Sequence, residues 1–125
     1  DAKGDGRILE YDCESEARTL VATPVSAATN FYALYQEKVL PNQRNSIYGH
    51  GRERYDAVLD VFRQQKGNYT DDTVWAALRA ASQDPEPESV TSNTQWSVAY
   101  NNTDLTSDIV IRRNWKDITH YDLKG

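Results

Sequence analysis

The stretch Thr94-Gln-Trp-Ser-Val-Ala-Tyr-Asn-Asn-Thr-Asp-Leu-Thr-Ser-Asp-Ile-Val-Ile-Arg-Arg113 decides the fold class. Thr94, Trp96, Val98 and Tyr100 alternate with Gln95, Ser97 and Ala99, the two-residue period of a strand. Asn101-Asn-Thr-Asp104 is turn chemistry, and 108–113 is rich in β-branched residues, as a returning strand should be. Ile118-Thr-His-Tyr-Asp122 reads as a last strand.

Immediately upstream the period changes. Tyr55, Val58, Leu59 and Phe62 fall at i, i+3, i+4 and i+7, which predicts a helix over 50–66 with Gly67 just past its end. Thr70 suits an N-cap, Asp71 and Asp72 complement the helix dipole, and Val74, Ala77, Leu78 and Ala81 carry a second helix to about 82. Asp84-Pro-Glu-Pro-Glu88 is a solvated acidic loop, and 36–49, with Pro41, Asn42, Asn45 and Gly49, has loop composition. Further back, 7–11 and 19–23 read as the arms of a hairpin around the polar turn 12–16. The run 25–32, after Pro24, reads as a short third strand or strand end. Strands, then helices, then strands point to an α+β fold with antiparallel pairing.

Composition narrows the class. At 125 residues the chain is one domain or less. Leu, Ile, Val and Phe make up about a fifth of it, a fraction that touches the disorder range. The net charge of −5 is too small to complete that signature, and three Trp and eight Tyr argue for a packed chain with a thin core. The acidic balance argues against non-specific nucleic-acid binding, and no stretch approaches the ~18 apolar residues of a membrane span. One cysteine excludes an internal disulfide framework, and no signal-peptide pattern opens the chain, so a cytoplasmic protein is expected. The sequence holds no Met and starts at Asp1, which suggests a processed chain or a piece of a longer one.

Most familiar chemistries lack their residues. His50 and His120 are far apart and neither sits in a metal-ligand spacing, so each is expected to be a surface or hydrogen-bonded residue. Gly4-Asp-Gly6 lacks the phosphate-binding patterns, and no Gly-x-Ser-x-Gly occurs. Cys13 lies among Asp12, Glu14 and Glu16, whose charges suppress thiolate formation, so it is expected not to be catalytic. Asn68-Tyr-Thr70 and Asn101-Asn-Thr103 match the glycosylation acceptor, a coincidence in a chain with no secretory signal.

Two segments carry more. In Thr29-Asn30-Phe31, an Asn beside small residues can offer its amide N–H to a ligand or a developing oxyanion, or simply form a turn. In Gly51-Arg-Glu-Arg-Tyr55, Arg54 adjoins the apolar helix stripe and fits either an anion site or a helix-face ion pair.

Taken in order, Ala-Ala-Thr-Asn30-Phe-Tyr, Gly-Arg-Glu-Arg54-Tyr-Asp-Ala-Val-Leu, Thr-Asp-Asp-Thr-Val-Trp-Ala-Ala-Leu and Asn-Thr-Gln-Trp96-Ser-Val-Ala-Tyr resemble one family. It is the C-terminal portion of the linear amide C–N hydrolases, the group of choloylglycine hydrolase, penicillin V acylase and isopenicillin N acyltransferase. The resemblance covers most of the chain. It implies an N-terminal-nucleophile fold, two antiparallel sheets between helical layers, with residues 1–125 a single C-terminal portion of that domain. It implies a cysteine nucleophile whose own α-amino group is the base, lying upstream of Asp1, so that this chain alone is inactive. On the same ground Asn30 matches an oxyanion-stabilising asparagine. Arg54 matches an arginine near the nucleophile, with Arg52 as the competing alignment. Trp96 falls in a structural strand and takes no role. The implied partners are the N-terminal part of the same enzyme, a small acyl amide substrate and, as an option, a second copy; no cofactor is implied. Phe31 after Thr-Asn departs from the bile-salt branch and leaves the substrate open. The alternatives are an acyltransferase of the same fold and a non-enzymatic α+β interaction module.

Overall fold

The computed structural model describes residues 6–30, 32–35, 51–88 and 93–124. Among these lie five strands and two helices: β1 (Ile8–Tyr11), β2 (Leu20–Thr23), α1 (Gly51–Gln65), α2 (Asp71–Ala80), β3 (Trp96–Asn101), β4 (Thr106–Ile111) and β5 (Ile118–Asp122). The class is α+β, and both sheets are antiparallel. The described residues divide into two compact units, one within 6–60 and one within 61–124. The candidate loop at 36–49 falls outside the described residues.

In the first unit β1 and β2 pair with Ile8 opposite Thr23 and Tyr11 opposite Leu20. Ile8 and Glu10 face the covered side, while Leu9 and Tyr11 are exposed. The strand expected over 25–32 does not form: described residues 25–30 are irregular. Pro24 brings no backbone donor to continue a ladder, and Ser26, Ala27 and Ala28 offer little side chain to pack on a pleated surface. The segment is held instead by the start of α1, where the Thr29 hydroxyl donates to the Gly51 carbonyl. Gly51, Tyr55 and Val58 are the buried face of that helix, as its periodicity requires. Lys66 and Gly67, both at positive φ, close it.

In the second unit α2 begins at Thr70, whose N–H donates to Thr73 Oγ1 at 3.1 Å, so that a threonine fills the back-bonding role of a capping box. The helix buries Thr73 and Ala77 and packs on β3. The sheet order is β3-β4-β5, with Trp96 opposite Ile111 and Asp108 opposite His120. Strand alternation divides it into two faces. One carries Ser97, Ala99, Asp108 and the fully buried Val110. The other carries Trp96, Tyr100, Ile111 and Tyr121, all exposed, although Ser107 among them is buried. The return strand starts two residues earlier than its composition suggests, because Thr106 already pairs with Asn101. Beyond the strands, Arg112 N–H donates to the Gln95 carbonyl at 2.7 Å and extends the hairpin by one more bond.

Candidate functional site

The first unit joins two of the sequence's candidates. The close approach begins at Gly51: a Cβ there would lie 2.8 Å from the Asn30 carbonyl oxygen, so only glycine lets the helix start against this backbone. Thr29 anchors the same junction through its hydroxyl. Arg54, one turn into α1, donates from Nη2 to Asn30 Oδ1. The residues are 24 apart in sequence and meet because the helix starts on the Thr-Asn segment.

That hydrogen bond fixes which way the amide points. A guanidinium has donors only, so Asn30 must turn its oxygen toward Arg54 and its Nδ2–H₂ away from it. Among the described residues Nδ2 makes no hydrogen bond. Asn30 as a residue is exposed. Of the two arginines, Arg54 reaches Asn30, while Arg52 donates from Nε to Asp56 at 2.8 Å along the helix and lies over the Tyr55 ring at 5.9 Å.

Two acidic side chains hold residues 33–35, Glu10 through their backbone and Asp12 through the Tyr35 side chain, and sequence reading passed them over. Glu10 accepts the N–H of Ala33 at 2.8 Å and of Leu34 at 2.7 Å, one on each carboxylate oxygen. Its only signal was a charged residue on the Ile8 side of a strand. Asp12 accepts the Ser15 N–H at 3.0 Å and the Tyr35 hydroxyl. The Tyr35 phenol is pushed up to about 12, chiefly by this bond to Asp12. These contacts hold 33–35 to the β1 end of the unit.

The other candidates take structural places. Cys13 is exposed in the turn after β1, and its nitrogen is a peptide nitrogen, so it carries no α-amino base. His120 lies in the second unit, its Nδ1 2.6 Å from Asp108 Oδ1, which makes it the hydrogen-bonded residue the sequence suggested. His50 falls outside the described residues. Trp96 starts β3 on the exposed sheet face. Asn101 caps its own turn, with Oδ1 accepting the N–H groups of Thr103 and Asp104 at 3.1 and 3.0 Å. Among the described residues no group of three His, Cys, Asp or Glu side chains converges to hold a metal ion, and no helix is long and apolar enough to cross a membrane. Compared with known proteins, the chain matches no family model, no curated protein and no solved structure.

Proposed function

We propose that this chain is the C-terminal part of an amidase that hydrolyses linear C–N amide bonds of acylated amines or amino acids through a cysteine acyl-enzyme. The observation that carries the reading is the Asn30–Arg54 contact, which turns the amide donors away from Arg54 at the junction the resemblance singles out. The nucleophile is the first residue of an N-terminal part of the same enzyme. Its α-amine takes the thiol proton, sulfur attacks the substrate carbonyl carbon, and the carbonyl electrons move onto oxygen. Asn30 donates its N–H to that oxyanion. Collapse breaks the C–N bond, and the departing amine takes the proton back from the α-amine. Water, deprotonated by the same amine, then cleaves the thioester to acid and free thiol. No step calls for a cofactor.

The sheet of the second unit supports an N-terminal-nucleophile sandwich. One face carries α2, while the other exposes Trp96, Tyr100, Ile111 and Tyr121, the kind of surface a second sheet covers. The same exposed aromatics favour the second reading, a non-enzymatic interaction module.

The intact natural protein separates the two. Its mass and first residues should reveal a leading cysteine, and it should hydrolyse acyl-amino-acid or penicillin substrates. Replacing that cysteine by alanine should abolish turnover, while Cys13→Ser should keep it. A protein without a leading cysteine would overturn the amidase reading, and turnover by the 125-residue chain alone would overturn the reading that this chain is a C-terminal part lacking the nucleophile.

A further inference from the structure

Strand alternation leaves the sheet of the second unit with one face that carries no charge. Trp96, Val98 and Tyr100 of β3, Ile109 and Ile111 of β4 and Tyr121 of β5 stand on it. No Asp, Glu, Lys, Arg or His of the three strands does: Asp108, His120 and Asp122 all stand on the opposite face, the one that carries α2. An antiparallel sheet with one face on a helix ordinarily turns polar and charged side chains to water on the other. This sheet does the reverse, and its uncharged face is open: Trp96 is 66% exposed, Tyr100 68%, Ile111 55% and Tyr121 48%. Interface cores are enriched in Trp and Tyr and depleted of charge in the same way.

Area and charge together select the occupant. A large aromatic side chain buries about 150–250 Å², so the exposed parts of these four residues alone offer roughly 500 Å² per copy. Two such faces laid together bury roughly 1,000 Å², the lower bound of a specific protein interface, and the half-buried Val98 and Ile109 add to it. Each chain has a net charge of −5, so two copies repel unless they meet where neither presents a charge. This face meets that condition, and as a sheet face it is self-complementary: a two-fold axis between the sheets sets β4 over β4 in aligned sheet-on-sheet packing. We infer that two copies of this chain pair through the uncharged face of the β3-β4-β5 sheet. The inference does not rest on the amidase reading. Under that reading a sheet of the N-terminal part takes the same face in the intact enzyme, and the pairing belongs to the 125-residue chain by itself.

The test is sedimentation velocity of the 125-residue chain from low micromolar to submillimolar concentration. A monomer–dimer equilibrium that stops at the dimer is expected, with a dissociation constant of roughly 10–100 μM for an interface of this size. Tyr100→Lys and Trp96→Lys should each weaken it at least about tenfold, because a new charge from each copy enters one desolvated face. Leu20→Lys makes the same charge change at a residue 65% exposed on the hairpin of the first unit, and should leave the equilibrium unaltered. A second measurement needs no variant: in a mixture of labelled and unlabelled parent chains, NMR contacts between copies should join Trp96, Tyr100, Ile111 and Tyr121. A chain that stays monomeric throughout, folded or not, would overturn the inference. So would association that runs on past the dimer, weakening by Leu20→Lys as large as by Tyr100→Lys, or contacts between copies that miss this face.

Discussion

Hydrogen-bond direction is the residue-scale argument. Arg54 has no acceptor to offer, so one contact turns the Asn30 amide oxygen toward it and the amide donors away from it. The same logic explains Tyr35. Its hydroxyl donates to the Asp12 carboxylate, a bond that ionisation of the phenol destroys. The folded-state pKa of about 12 lies above the ordinary value of 10.0. A raised pKa means that this contribution to stability is fully present below pH 10.0 and is lost as pH rises toward about 12. In an ultraviolet phenolate titration, Tyr35→Phe should therefore lack a tyrosine that titrates near about 12 in the parent, and its alkaline destabilisation over that window should be shallower. Identical titration curves for the two proteins would show that the Asp12 bond is not held in solution.

At the scale of elements, the β3–β4 hairpin is closed by a side chain its own periodicity does not reveal. Arg113 donates from Nε to Asp84 at 3.0 Å and from Nη1 to Asn93 Oδ1 at 2.6 Å and the Thr94 carbonyl at 2.7 Å. It ties the segment after α2 to the end of β4, and its side chain is only 16% exposed. Arg113→Ala keeps a Cβ at the same positive φ, so the change reads the hydrogen bonds and not backbone strain. Because Asp84 is 91% exposed, its ion pair adds little, and the loss should be about 1.5–3 kcal/mol in denaturant unfolding, carried mainly by the two bonds from Nη1. Elements with a regular period were legible in sequence: Tyr55 and Val58 marked the buried face of α1, and the alternation from Trp96 marked β3. The irregular run 25–30 was not, because what holds it is a long-range bond to Gly51, a partner that local propensity cannot name. Asn30 and Arg54 were legible as residue types, but their meeting depends on the helix start abutting the Thr-Asn backbone.

For the whole molecule, the account makes the chain one layer set of a larger enzyme, with the exposed aromatic sheet face covered by further structure. In that assembly the oxyanion exists only after a thiolate from the N-terminal part attacks the substrate. A ground-state carbonyl carries little charge and the tetrahedral intermediate nearly a full one, so the Asn30 donor acts mainly in the transition state. If the proposed function holds, Arg54 positions that donor, and the two substitutions should not be additive: Arg54→Ala on top of Asn30→Ala should cost less than it does alone. The most direct measurement is steady-state kinetics of Asn30→Ala in the intact, folded enzyme. The account predicts a kcat lower by roughly 10²–10³, with KM changing much less. A kcat within a few-fold of the parent would mean that Asn30 only shapes the turn before α1, and the central claim would fail.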